Sequence, residues 1–163
     1  ITNVPGLTLA TFYADCVPLF FVDPVHKAIG LSHSGWKGTV GKIGKVTVEK
    51  MTEQYGTDPK DVLAAIGPSI CQSCYEVSED VIVQFREAFK EEFWTDLFYA
   101  KENGKYQLNL WRSNELIFEE AGILKGNYST TNICTCCNPG YLFSHRASHG
   151  KRGNLGAFLQ IKE

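Results

Sequence analysis

The sequence predicts an α+β fold, with a mixed β-sheet core flanked by about three helices. Two apolar runs, residues 17–22 and 28–31, are separated by an Asp-Pro turn signal and indicate two buried strands. Beyond Gly38 the apolar spacing changes to a helical period. The chain has 163 residues without repeats, low-complexity tracts or a linker, so we predict one domain over residues 1–163.

The first half is predicted to place strands before one long helix. Residues 7–13 alternate loosely between apolar and small side chains and indicate a strand that leads into the hairpin. Pro18 indicates either an edge strand or the start of a strand. Residues 38–55 are predicted to be helical, and Gly56 ends the helix. The predicted apolar face of this helix is Val40, Ile43, Val46 and Met51.

The second half is predicted to contain two more helices and two strands. Asp58-Pro59 indicates a short helical turn before a strand at 62–66. A helix should begin at Ser78, with acidic residues in its first turn, and a third should cover about 110–121. A turn at 101–105 and a strand at 155–161 complete the prediction.

Composition excludes some classes of partner and favours one compartment. The net charge is −2 with acids and bases interspersed, so we predict binding neither to nucleic acid nor to an anionic membrane. No apolar run approaches the ~20 residues that span a bilayer. Six cysteines in a chain with its own core favour reduced thiols or metal ligands, and hence the cytoplasm. The opening Ile1, in mid-pattern, suggests that a natural N-terminal part is absent.

Cys16 and His33 are the first candidates for chemistry. Cys16 lies at the start of the first strand of the predicted hairpin, and His33 lies at the end of the second. The two ends are neighbours in an antiparallel pair, so the thiol and the imidazole should approach each other. This pair suits a divalent metal site or a Cys-His nucleophile, with Asp15 beside the thiol. A buried free cysteine with a backbone-bonded histidine is the alternative.

The turn after His33 is a candidate anion site. Gly35 and Gly38 flank Trp36 and Lys37 where a strand passes into a helix, and free backbone N–H groups at such a junction bind anions. Trp36 could stack on a planar base or simply fill the core. Two histidines and three basic residues also crowd residues 144–153, which suits phosphate or carboxylate binding unless the loop is merely a solvated charged segment.

Two CxxC pairs are the third candidate. Cys71 with Cys74, and Cys134 with Cys137, could form one four-cysteine zinc site. The 59 residues between the pairs exceed the usual zinc-ribbon interval. Incidental packing or a loosely poised thiol cluster is therefore favoured over a zinc site or a redox pair.

The candidate segments together resemble one family. Tyr-Ala-Asp-Cys-Val-Pro, His-Ser-Gly-Trp-Lys-Gly, Ile-Gly-Pro-Ser-Ile-Cys, Cys-Tyr-Glu-Val, Cys-Thr-Cys-Cys and Phe-Ser-His-Arg occur in that order. They resemble the YfiH family, also called the laccase-domain or polyphenol oxidase family. The resemblance covers essentially the whole chain, and it implies a fold like that of cytotoxic necrotizing factor catalytic domains.

The resemblance implies a zinc-dependent purine nucleoside phosphorylase, which converts adenosine or inosine and phosphate to base and ribose 1-phosphate, with adenosine deamination in some members. It makes Cys16 and His33 zinc ligands, with a third histidine expected upstream and absent here, and Asp15 a general base or an orienting group. Lys37, where members often have arginine, and Arg146 would contact phosphate. A metal-free Cys-His hydrolase, a copper-dependent polyphenol oxidase and a four-cysteine zinc or redox module are the alternatives.

Overall fold

The structure is a computed structural model that describes residues 1–162, in which the chain forms nine strands and five α-helices. The strands are β1 (Thr8–Tyr13), β2 (Val17–Asp23), β3 (Ala28–Ser34), β4 (Leu63–Ile66), β5 (Glu76–Val77), β6 (Phe98–Ala100), β7 (Tyr106–Leu108), β8 (Tyr128–Thr130) and β9 (Leu155–Gln160). The α-helices are α1 (Trp36–Val40), α2 (Ile43–Tyr55), α3 (Glu79–Ala88), α4 (Trp94–Leu97) and α5 (Leu110–Glu120).

The central sheet is mixed, as predicted. Its order is β3-β2-β4-β8, with antiparallel pairs except for β4 and β8, which run parallel. The predicted hairpin is present in β2 and β3, with Asp23 paired to Ala28 next to the turn. Because β2 has a neighbour on each side, Pro18 lies near the start of a central strand and not on an edge.

Two smaller sheets flank the central one. β1 and β9 pair antiparallel, which confirms the strands predicted at the two ends of the chain. β5, β7 and β6 form a three-stranded sheet that was not predicted, although the turn at residues 101–105 that joins two of its strands was. These strands have two or three residues each, too few to show a period of two.

The long helix predicted over 38–55 is two helices in the structure. The chain breaks at Lys42, whose φ is 53°, in the left-handed region. Gly41, a poor helix former, precedes it, and its N–H bonds to the Lys37 carbonyl in the last turn of α1. The break turns the second helix so that Val46 faces solvent, contrary to prediction, and Gly44 faces the core.

The core lies between the central sheet and helices α2 and α5. Leu19 and Phe21 of β2 are fully buried, and the Phe21 ring meets that of Phe118 edge to face at 5.4 Å. Each such side chain contributes about 1.5–3 kcal/mol on burial. The helices predicted from Ser78 and over 110–121 are present as α3 and α5. In residues 1–162, no helix combines the length and the apolar character that crossing a bilayer requires.

Asp23 organises the hairpin turn that aligns β2 with β3. Its buried carboxylate accepts hydrogen bonds from the N–H groups of Val25 and His26 and from the His26 imidazole at 2.8–3.0 Å. Burial alone would raise the pKa of Asp23, but the hydrogen bonds it accepts bring this pKa below its usual range. The carboxylate therefore stabilises the fold only while it is ionised.

We expect Asp23→Asn to lower the free energy of unfolding by about 1–3 kcal/mol at pH 7, because the amide nitrogen that replaces one carboxylate oxygen cannot accept the bond from the His26 imidazole and the negative charge is lost. The contribution of the wild-type carboxylate is present above the unfolded pKa of about 4 and is lost as pH falls through the folded value. Urea unfolding at pH 7 and near pH 3 measures both effects. Asp58→Asn, at an exposed turn cap, is the matched control. If Asp23→Asn were as stable as Asp58→Asn and kept the wild-type acid sensitivity, this role of Asp23 would be wrong.

Candidate active site

The hairpin brings Cys16 and His33 to the same end of the central sheet. His33 pairs with Pro18 and Ser34 with Val17, so Cys16 lies opposite Gly35. The Sγ atom of Cys16 is so near that a Cβ atom added to Gly35 would lie 3.0 Å from it. Opposite residues share a face of the sheet, so Cys16 and His33 are diagonal neighbours on one face, with Cα atoms about 7–8 Å apart in regular geometry. The register thus places both residues at the end of the hairpin where the sequence predicts them, and their joint role stays a prediction.

The environments of the two side chains differ. His33 is exposed, and its ring meets that of Tyr13 edge to face at 6.4 Å. Cys16 is half-buried, and burial, followed by the neighbouring Asp15 carboxylate, raises its pKa against an opposing effect of Arg152. A cysteine that acts as a nucleophile without metal needs a lowered pKa, so the metal-free hydrolase alternative gains no support from this environment.

Asp15 ties three distant segments to the start of the hairpin. Its side chain accepts a hydrogen bond from the Thr135 hydroxyl and another from the Arg146 N–H, each at 2.7 Å. Its main-chain carbonyl accepts from the Ile70 N–H at 3.0 Å. The residue is buried and has a φ of 78°, a conformation that aspartate tolerates better than most residues. With both carboxylate oxygens engaged, the geometry favours the orienting role over that of a general base.

An open depression of about 390 Å³ contains two of the predicted substrate residues. Trp36 and Arg146 both line it, together with Tyr75 and Lys105. The Arg146 guanidinium donates to the carbonyls of Cys74 and Glu76 at 3.2 and 2.9 Å and lies over the Tyr75 ring. A guanidinium carries five N–H groups, so donors remain for an anion.

Lys37 occupies a different position from its predicted partners. It is exposed, and its Nζ lies 5.5 Å from the ring centre of Trp36. Among the described residues that line the depression, Lys37 is absent and Lys105 supplies a positive charge instead. A second depression of similar volume, between α3 and α5, contains none of the predicted site residues.

Tyr75 and Arg152 are site residues that the sequence reasoning did not single out. Tyr75 lines the depression, and burial followed by the charge of Cys16 raises its pKa to about 12. Arg152 acts electrostatically on Cys16. Tyr75 lies within the Cys-Tyr-Glu-Val segment, which is one of the motifs that carry the family resemblance. Its membership of that motif is the sequence signal that could have identified it. Arg152 stood among several basic residues of one loop, so composition could not distinguish it.

The two CxxC pairs are brought together in the structure. The Sγ atoms of Cys71, Cys74, Cys134 and Cys137 all lie within 4.8 Å of one another, a spacing that could hold a metal ion. Burial, followed by hydrogen bonding with the Cys137 and Cys71 thiols, raises the pKa of Cys74. The long interval in sequence was therefore a poor guide to the distance between the pairs.

The donors at Cys16 and His33 fit zinc in kind, because thiolate and imidazole are both zinc ligands. A catalytic zinc takes three protein ligands. Among residues 1–162, the only group of three or more potential donors within ligand spacing is the four-cysteine cluster. The described residues can therefore supply two of the three protein ligands of a catalytic zinc site, namely Cys16 and His33.

Comparison with known proteins identifies relatives of this chain. A family model described as "Multi-copper polyphenol oxidoreductase laccase" matches residues 1–162. The Bacillus subtilis protein named "Purine nucleoside phosphorylase YlmD" is 41% identical over 99% of this chain and 58% of its own length. A protein of an unknown prokaryotic organism, named "Adenosine deaminase RL5", is 36% identical over 90% of this chain and 55% of its own length.

A solved structure shows the same fold. The crystal structure of Bacillus licheniformis hypothetical protein YfiH matches with a TM-score of 0.92 at 36% identity, covering 98% of this chain and 60% of the other. The predicted family and fold class are thus confirmed. The chain spans about three fifths of the length of these relatives. It belongs to the laccase-domain family of multi-copper polyphenol oxidoreductase-like proteins, which includes YfiH and YlmD.

Proposed function

We propose that the protein is a zinc-dependent purine nucleoside phosphorylase and that this chain supplies two of the zinc ligands and the substrate depression. The observation that carries the proposal is the diagonal placement of Cys16 and His33 on one face of the hairpin, at the end that leads into Trp36. The family includes proteins named for purine nucleoside phosphorylase activity, which supports this reaction class.

The reaction exchanges one bond of the nucleoside for another. A phosphate oxygen bonds to ribose C1′ while the bond from C1′ to the base nitrogen breaks. The bonding electrons leave with the base, which takes up a proton. When bound, zinc supplies a Lewis acid that polarises or positions an oxygen ligand. In this proposal Cys16 and His33 hold the metal, and the third ligand is the histidine that the family resemblance implies, outside residues 1–162.

The remaining residues bind and orient the substrates. Trp36 lines the depression with a ring on which a purine can stack, and the Tyr75 ring beside it carries the Arg146 guanidinium over its face. Arg146 and Lys105 provide positive charge for phosphate, and Lys37 adds charge near Trp36. Asp15 fixes the main chain at Arg146 and thereby the direction of its guanidinium. Rate enhancement then comes mainly from placement and electrostatics.

The cytoplasm is the proposed compartment, since all six cysteines are free, as thiols are in a reducing environment. Adenosine deamination is a second candidate activity, favoured by the relative named for it.

The test is a product analysis of the natural full-length protein with adenosine or inosine, in the presence and absence of phosphate. We expect free base and ribose 1-phosphate, with formation of both dependent on phosphate. Ammonia release from adenosine without phosphate would reveal deamination as a separate activity. Zinc-loaded protein that forms no ribose 1-phosphate from either nucleoside would contradict the proposal, and turnover of a phenol with oxygen would favour the oxidase alternative.

A further inference from the structure

The four cysteines outside the candidate active site form the most concentrated group of soft metal donors in the described chain. Their Sγ atoms lie within 4.8 Å of one another, and those of Cys74 and Cys137 are 3.4 Å apart. Four sulfurs around one zinc, with bonds of about 2.3 Å, lie about 3.8 Å from one another. A disulfide would need sulfurs about 2.05 Å apart. The spacing therefore matches shared coordination better than pairwise oxidation.

The main chain builds this arrangement from two turns held side by side. The Ser69 N–H donates to the Ile133 carbonyl and the Thr135 N–H to the Ser69 carbonyl, both at 3.1 Å. This parallel bridge lies two residues before Cys71 and directly at Cys134. A 3₁₀ turn at Gln72–Cys74 then folds Cys74 back beside Cys71. Main-chain pairing thus fixes the position of the first cysteine of each pair. The turn that follows brings the second cysteine of the pair close to the first.

Hydrogen bonds to the most buried sulfur are a second, independent indication of a ligand. The N–H groups of Cys71 and Cys137 donate to the Sγ of Cys134 at 3.3 and 3.4 Å. N–H groups that hydrogen-bond to a ligand atom are the arrangement that orients ligands around a bound metal. Cys134 is 6% exposed, so the sulfur that accepts these two bonds is screened from solvent.

We propose that Cys71, Cys74, Cys134 and Cys137 form a structural zinc site with four thiolate ligands, distinct from the Cys16–His33 pair. Zinc binding displaces the thiol protons to solvent, and no electron transfer is involved. All four positions are occupied by protein, so the site is closed and holds structure without performing chemistry. This inference stands independently of the proposed function.

The site would stabilise one wall of the substrate depression. It joins the segment that carries Tyr75 to the segment that carries Arg146, which are far apart in sequence. The Cys74 carbonyl is itself an acceptor for the Arg146 guanidinium. Zinc at the cluster therefore restricts the main chain against which this arginine is positioned.

The test counts tightly bound metal in the natural full-length protein carrying Cys16→Ala, which removes a ligand of the other proposed centre. After purification under reducing conditions and dialysis against a weak chelator, we expect one zinc per chain by elemental analysis. Cobalt substitution should give the intense sulfur-to-metal charge-transfer bands and the visible bands of a tetrahedral thiolate site. Cys74→Ser added to this protein should abolish the zinc equivalent, whereas Cys136→Ser, next to Cys137 but outside the cluster, should keep it.

The zinc content of the Cys16→Ala protein tests the four-cysteine site even if the protein that also carries Cys74→Ser does not fold. A protein with four reactive thiols at these positions and no retained zinc would overturn the proposal. Retained iron in place of zinc, or disulfides formed within the cluster under reducing conditions, would overturn it as well. Alkylation mapped by mass spectrometry supplies the thiol count: we expect Cys136 to react in the zinc-loaded protein and the four cluster cysteines to react only after zinc is removed.

Discussion

Cys16→Ala in the natural full-length protein is expected to reduce the rate of ribose 1-phosphate formation from inosine by about a thousandfold or more. The proposed zinc loses its thiolate ligand, and a Lewis-acid metal contributes several kcal/mol of transition-state stabilisation, each 1.4 kcal/mol being tenfold in rate. The fold should change little, since Cys16 is half-buried at a strand end. Initial rates at saturating phosphate, with circular dichroism as a check on folding, measure this.

Cys136→Ala is the matched control for this substitution. Cys136 is also a half-buried free cysteine, and it contacts the core without belonging to either candidate metal site. We expect it to retain near wild-type activity. A Cys16→Ala protein as active as Cys136→Ala would remove Cys16 from the mechanism.

Asp15→Ala is expected to lower the free energy of unfolding by about 3 kcal/mol. It should also lower the rate of phosphorolysis by at least tenfold. It leaves the Thr135 hydroxyl and the Arg146 N–H without their acceptor, and unsatisfied buried donors cost about 1–3 kcal/mol each. Alanine is also strained at a φ of 78°. Urea unfolding and steady-state kinetics measure the two effects.

The kinetic pattern separates a positioning role from a merely structural one. If Asp15 orients Arg146, the KM for phosphate should rise more than the KM for the nucleoside. Thr135→Val removes one of the two side-chain hydrogen bonds and should give a smaller loss of stability with little effect on the phosphate KM. Asp15→Ala with wild-type stability and an unchanged phosphate KM would contradict this account of the residue.

The sequence was sufficient to predict those elements that depend on residues close together in the chain. The hairpin could be predicted because two apolar runs flank an Asp-Pro turn, and its register alone brings Cys16 and His33 to one end. The end of α2 followed from Gly56, which has a positive φ. Local steric and hydrogen-bonding preferences determine such features, so one sequence reveals them.

Long-range pairing was not predictable by the same means. The two CxxC pairs meet because β4 and β8 run parallel and the bridge at Ser69 continues their alignment, yet no local pattern marks the partner of either strand. The contacts of Asp15 with Thr135 and Arg146 likewise join residues more than a hundred positions apart. The break at Lys42 depends on how α1 and α2 pack on the sheet, and packing can override a helical period.

The central claim, that Cys16 and His33 bind one ion, is tested most directly by ¹¹³Cd NMR of the cadmium-loaded full-length protein. A site with one sulfur and nitrogen ligands resonates far upfield of a four-sulfur site, so the two proposed centres are distinguishable in one spectrum. We predict an upfield resonance that disappears in both Cys16→Ala and His33→Ala and persists in Cys136→Ala. An upfield resonance unchanged by either substitution, or its absence from the wild-type protein, would contradict the account.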